Sequence, residues 1–199
     1  LSITSDDVAT DDTLAVTCGS FVKVSHQVTG FELNSEGKQL GGGSGQQIVT
    51  FVDTAGTHNT LWWIRPAHNN ADKEYPVVED SDVASADEIA NASTCKQAMP
   101  IPCGSLVRLT HAATLKNLHS HDYTSPLSNQ QEVSAYGTGD SNGDGGDNWR
   151  VECHGANKEF WIVGQAVRLL HQDTNKYLGA AAAATFNRET CGQNCPIMG

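Results

Sequence analysis

The stretches CGSFVKVSHQVTGFELNS (Cys18 to Ser35), CGSLVRLTHAATLKNLHS (Cys103 to Ser120) and VGQAVRLLHQDTNKYLGA (Val163 to Ala180) align without a gap. His26, His111 and His171 coincide, as do Thr29, Thr114 and Thr174, and Leu33, Leu118 and Leu178. A residue that returns in every copy serves the architecture before it serves chemistry. Each copy opens on alternating residues, Val22-Lys23-Val24, Val107-Arg108-Leu109 and Val167-Arg168-Leu169, the pattern of a strand with one buried and one wet face. A turn comes next at Thr29-Gly30, Thr114-Leu115-Lys116-Asn117 and Thr174-Asn175, so each copy begins with a hairpin whose turn the shared histidine pins.

Later in the copies SGQQIVTF (Ser44 to Phe51) matches SNQQEVSA (Ser128 to Ala135), and LWWIR (Leu61 to Arg65) matches DNWRVE (Asp147 to Glu152) through Trp62 and Trp149. These read as third and fourth strands, with the two tryptophans in the core and the glycine run Gly41 to Gly45 at a hairpin tip. Four strands per copy and three copies predict an all-β chain folded as a β-trefoil, whose closure removes the exposed edges of a lone unit. The expected layout is an extension over 1–15 and one trefoil over 16–199, with repeats at about 16–66, 101–160 and 161–199. The acidic stretch over 66–100 reads as a surface insertion, within which Asp82 to Met99 is the one place for a short helix. In the third repeat CPIMG aligns just before the Gln-containing strand, and no tryptophan comes after it. That repeat is expected to be truncated, leaving an open seam beside the first strand or one completed by LSITSDDVAT or by another chain.

Six cysteines without a C-x-x-C pair favour disulfides over a zinc ribbon. In such a barrel the start of the first strand lies beside the end of the fourth, and the start of the fifth beside the end of the eighth. Cys18 is therefore expected to pair with Cys95 and Cys103 with Cys153, while Cys191 and Cys195 pair locally or stay free. Asn91-Ala92-Ser93 is a glycosylation sequon, and the start at Leu1 without methionine reads as the trace of a removed or trimmed leader. A formal charge of -11, with 12 scattered Lys and Arg, excludes a phosphate-binding surface for nucleic acid. No apolar run reaches the roughly 20 residues that span a bilayer.

The run LHSHDYTSPLSNQQEVSAYG, with VTCGSFVKV, GSGQQIVTFV and CGSLVRLTHAATLKNLHSH, resembles the stromal cell-derived factor 2 proteins, which are built of MIR motifs. The likeness covers most of Val16 to Gly179. It implies a non-enzymatic trefoil of the endoplasmic reticulum lumen, without cofactor, working in protein quality control. Its implied partners are a luminal chaperone, a J-domain cochaperone and unfolded client proteins. Related motifs accompany protein mannosyltransferases, so a glycan-binding module linked to O-mannosylation is the alternative. Family members often end in a luminal retention signal, whereas this chain ends in Pro196-Ile197-Met198-Gly199 and retention is not inferred from it.

His119 and His121 do not recur: Asn34 and Glu36 stand in their places in the first copy, Gly179 and Ala181 in the third. Alternation puts both imidazoles on one face of a strand, able to hold zinc should a third ligand such as Asp122 converge. With Tyr123, Gln130 and Gln131 they form the candidate surface for a polypeptide or glycan partner, against the plainer reading of a polar hairpin with satisfied hydrogen bonds. Asp140, Asn142 and Asp144 make the first half of an EF-hand loop, but Val151 stands where its bidentate Glu is required, so an acidic loop is the better reading than calcium. Gly42-Gly43-Ser44-Gly45-Gln46 misses the nucleophile-elbow pattern at its last position, and no catalytic residue is expected.

Overall fold

A computed structural model of the chain describes residues 14–53, 58–68, 95–125, 127–137, 143–156, 158–181 and 184–186. Ten strands run through them: β1 (Phe21–Val22), β2 (Glu32–Gln39), β3 (Gln47–Val52), β4 (Trp62–Pro66), β5 (Leu106–His111), β6 (Asn117–Thr124), β7 (Gln131–Tyr136), β8 (Trp149–Cys153), β9 (Val167–His171) and β10 (Lys176–Tyr177). Short 3-10 turns at His58–Thr60 and Gly145–Asp147 lead into β4 and β8. No described residue is α-helical; of the expected helix only 95–99 is described, as turn and bridge, and the sequon at Asn91 lies outside the described residues.

The copies superimpose in their pairing. Trp62 on β4 faces His111 on β5, and Trp149 on β8 faces His171 on β9, so the first strand of each later copy lies on the last strand of the copy before it. The hairpins agree too, Leu33 facing Phe51 across β2 and β3 as Leu118 faces Ala135 across β6 and β7, and the two hairpins meet through β3 and β7. This is the β-trefoil arrangement of barrel strands and capping hairpins. Its core holds Leu33, Trp62, Ile64, Val107, Leu109, Leu118, Trp149, Val151 and Leu169. Each tryptophan donates its indole N–H into its own hairpin, Trp62 to Leu33 O and Trp149 to Leu118 O, both at 2.9 Å.

β1 is shorter than the alternation through Val24 predicts, with Ser25 joined to Glu32 only by an isolated bridge. β5 is held between β4 and β8, while β4 is the one strand that β1 pairs among the described residues. The third copy contributes β9 and β10, and the expectation of an incomplete third copy rests on residues outside those described. Disulfides join Cys18 to Cys95 and Cys103 to Cys153, the pairs expected from their places in the barrel. Cys191 and Cys195 lie outside the described residues. The C-terminal flank of the expected surface insertion is not superficial: Cys95 and Ile101 are core residues, because the disulfide and the bridge of Thr17 to Pro100 draw them under the barrel.

The recurrent histidines do more than pin a turn. His111 Nδ1 meets Thr114 Oγ1 at 2.8 Å, and His171 Nδ1 meets Thr174 Oγ1 at 2.7 Å. Their Nε2 atoms reach into the preceding copy, to Asn59 O at 2.9 Å and Gly146 O at 3.0 Å. A carbonyl only accepts, so Nε2 carries the proton and Nδ1 accepts from the threonine hydroxyl. Gln47 Nε2 then donates to Thr114 Oγ1, and Gln131 Nε2 to Thr174 Oγ1, closing each joint between copies. The turns need a left-handed residue after the threonine, at Gly30, Leu115 and Asn175 alike.

Burial holds the His171 imidazole below its ordinary value, more than the hydrogen bond to Gly146 raises it. The unfolded chain therefore takes up this proton first. The stabilisation is complete above the ordinary imidazole value of 6.5 and is lost as pH falls from there through the folded value. Urea midpoints should fall between about pH 7.5 and about pH 5, and His171→Gln should flatten that dependence. An unchanged slope in the variant would assign the acid sensitivity to other groups.

Candidate functional site

β6 carries His119, His121 and Tyr123 on one face, as alternation predicts. Their rings form a continuous row: His119 and His121 lie edge to face at 5.0 Å, and His121 and Tyr123 are 4.6 Å apart. Tyr136 at the end of β7 closes on His119 at 5.0 Å. The row descends into the protein, from Tyr123, 56% exposed, to His119, 4% exposed. It lines an open cleft of about 590 Å³ whose far side is Asp144, Gly145 and Gly146, at the start of the second 3-10 turn, together with Asp173 and Thr174.

Beneath the floor, under His119, lies Asp147, which is fully buried. Its Oδ1 lies 2.9 Å from His119 Nδ1. Its Oδ2 accepts from Asn117 Nδ2 at 2.9 Å and from Asp144 N at 3.3 Å, and lies 3.0 Å from His68 Nε2. A buried carboxylate requires this many partners, since a lone one would be neutralised or expelled. Asp144 caps the turn by accepting from Gly146 N at 2.9 Å, and the same oxygen lies 3.6 Å from His119 Nδ1. Behind the floor Arg108 Nη1 is 3.0 Å from His68 Nε2 and its Nε donates to Pro66 O. Arg108 only donates, so His68 Nε2 either accepts from it or, when protonated, donates to Asp147. Burial first, then the Arg65 charge, draw the Arg108 guanidinium below its ordinary value, and Asp147 opposes them.

Behind the near wall, which Ser44 and His121 line, lies Glu132, 1% exposed, with Oε1 at 3.3 Å from His121 Nε2. Ser44 at the tip of the first hairpin donates both its hydroxyl and its N–H to this carboxylate. Gly43, at φ +64°, lets the tip approach, since a Cβ there would collide with Glu132. The order Ser44, Glu132, His121 puts a carboxylate, not an imidazole, beside the hydroxyl, which is not the arrangement that activates a serine.

The six candidate partner-binding residues separate into two sets. His119, His121, Asp122 and Tyr123 line the cleft; Gln130 and Gln131 do not, and border a different, apolar hollow with Phe51, Leu127 and Tyr177. Gln131 is committed to the joint between copies through Ser120 and Thr174, as Gln47 is through Ser35 and Thr114. Its recurrence at Gln47 was the signal for that role. Asp122 stays at the exposed rim of the cleft and does not converge with the histidines as a third ligand. The carboxylates that do converge on His119 are Asp144 and Asp147. Of the EF-hand half, Asp140 and Asn142 lie outside the described residues, and Asp144 is engaged as a cap. Asp147, Glu132 and His68 carry no sequence pattern that marks them; their roles depend on contacts across 11 to 88 residues of chain.

No protein-family model matches the chain. It is 39% identical over 181 residues to a stromal cell-derived factor 2-like protein of Dictyostelium discoideum, covering 89% of this chain and 73% of that one. Human stromal cell-derived factor 2 is 36% identical over 178 residues, covering 89% of this chain and 71% of its own. Among solved structures, the crystal structure of the SDF2-like protein from Arabidopsis thaliana matches with a TM-score of 0.70 at 33% identity, over 92% of this chain and 90% of that one. The protein O-mannosyltransferase Pmt1-Pmt2 complex of S. cerevisiae, bound to the sugar donor, shares the fold with a TM-score of 0.64 at 24% identity, over 96% of this chain and 25% of that one. With the threefold hairpin unit and the His-Ser-His strand in place, these likenesses over nearly the whole chain show that it belongs to the stromal cell-derived factor 2 family.

Proposed function

We propose that the protein is a non-enzymatic binding component of the endoplasmic reticulum lumen, acting in protein folding and quality control with a luminal chaperone and a J-domain cochaperone. The observation that carries this reading is the cleft itself: exposed Tyr123 and Tyr136 rim it, buried His119 lies at its bottom, and its serine is bound to a carboxylate. Exposed aromatic rings on a rigid hairpin are the usual anchors of protein interfaces. Family membership and the two disulfides, which persist in oxidising compartments, support the luminal location. The net charge of -11 favours basic patches on the partner through electrostatic steering.

Co-purification from luminal extract tests the proposal. The protein should retain a J-domain cochaperone, and Tyr123→Ala should weaken that retention by roughly 5- to 30-fold, as loss of an aromatic anchor does. Retention unaffected by Tyr123→Ala would remove the cleft rim from the interface. A glycan reading has one feature in its favour, the adjoining rings of His121 and Tyr123, tilted by 39°, beside the exposed Asp122 carboxylate. Saturable binding on a glycan array that Tyr123→Ala abolishes, without cochaperone retention, would replace the first reading by the second.

A further inference from the structure

We infer that His119, Asp144 and Asp147 form a binding site for a divalent ion of the zinc class, with a coordination position open to the cleft. His119 Nδ1 and one oxygen from each carboxylate all lie within 4.8 Å of one another. The imidazole nitrogen is 2.9 Å from Asp147 Oδ1 and 3.6 Å from Asp144 Oδ1. Ligands bound at about 2.0–2.1 Å to a tetrahedral zinc stand roughly 3.3–3.4 Å apart. Both distances from the imidazole stand within about half an ångström of that separation, and the two carboxylate oxygens lie within 4.8 Å of each other.

The first copy shows that the trefoil does not need this arrangement. Asn34 stands in the place of His119 and Thr60 in the place of Asp147, two residues before the core tryptophan in each case. Both are as buried as their counterparts, and Asn34 closes its site with neutral partners, its amide N–H donating to Asn59 O at 3.2 Å and its oxygen accepting from Ser35 N at 3.3 Å. The second copy instead buries a carboxyl group and an imidazole where amide and hydroxyl suffice. It also brings the turn down onto the imidazole: a Cβ on Gly146 would collide with the His119 ring and with Ser120 O, and one on Gly143 with Asp147 and His68.

The surroundings orient the ligands as metal sites require. Asn117 Nδ2 and the Asp144 N–H hold Asp147 by Oδ2, which leaves Oδ1 aimed at His119. A dication balances the two carboxylates while His119 ligates as the neutral base. One imidazole with two carboxylates favours zinc over calcium, which takes oxygen ligands. Three protein ligands and an open cleft leave the fourth position to water, or to a carboxylate or carbonyl brought by a partner.

This inference does not depend on which partner the cleft takes. The disulfide-intact protein is dialysed against zinc and, separately, calcium, then titrated with cobalt as a spectroscopic substitute. Expected are one zinc per chain, no comparable calcium uptake, and a cobalt spectrum of nitrogen and oxygen ligands without a thiolate charge-transfer band. Asp144→Asn alters an exposed side chain and leaves the core intact; it should weaken zinc binding at least roughly tenfold, as should His119→Asn, which installs the residue of the first copy. Failure to retain zinc after dialysis, equal affinity in Asp144→Asn, preferential calcium uptake, or a thiolate band that places the ion on cysteines would each overturn the assignment.

Discussion

Alanine in place of Trp149 is expected to destabilise the protein by about 3–5 kcal/mol, the cost of emptying a large, fully packed aromatic site. The ring is 1% exposed, its N–H donates to Leu118 O, and it packs at 5.0 Å against His171 of the next copy. One substitution thus loosens the β6–β7 hairpin and the joint to the third copy together. Trp62 has the same surroundings in the first copy, bonded to Leu33 O and 5.1 Å from His111, so Trp62→Ala should cost a similar amount. Trp149→Phe keeps most of the volume but orphans a buried carbonyl, a loss of about 1–3 kcal/mol. Urea unfolding followed by circular dichroism measures all three. A cost below about 1 kcal/mol for Trp149→Ala would mean that the threefold core is not where the stability resides.

Removing the disulfide of Cys103 and Cys153, by paired substitution to serine, is expected to cost about 4 kcal/mol. It closes a span of 50 residues, and the chain-entropy account gives about that value for such a loop. The bridge of Cys18 to Cys95 spans 77 residues, which adds only about half a kcal/mol because the cost of loop closure rises with the logarithm of length. Each bridge ties the start of a copy, the first or the second, to a cysteine at or beyond the end of that copy's fourth strand, so each restricts one whole copy in the unfolded chain. Unfolding midpoints with and without reductant, compared with those of the serine variants, check this. Identical midpoints in reduced and oxidised protein would refute the estimate and would assign the stability to packing alone.

Much of the fold is legible in the chain because its signals are local and repeated. Alternation around Val107-Arg108-Leu109 identifies β5 as a strand, though not its faces, since Arg108 is buried like its neighbours, and the common His and Thr identify the turns, which need no distant residue to be read. The failures have the opposite character. β1 has the same pattern as β5 but extends over only Phe21–Val22, because strand length depends on the neighbours available to pair. Gln131 belongs to the joint and not to the cleft, although its recurrence at Gln47 carried the same message as the recurrent histidines. Asp147 gave no local signal, and Asp122, adjacent to His121 in sequence, is not among the carboxylates that converge on His119.

The amino-acid sequence by itself determined the repeat, the trefoil and the two disulfide pairs. Each depends on short-range periodicity or on a residue's place within a copy, and such information survives when the chain is written as a line. Only the tertiary structure decided which groups face His119. Asp147 reaches it across 28 residues, and Ser44 reaches Glu132, behind His121, across 88. Those meetings are set by how copies pack on one another, and packing selects partners by distance in space, on which separation along the chain places almost no limit.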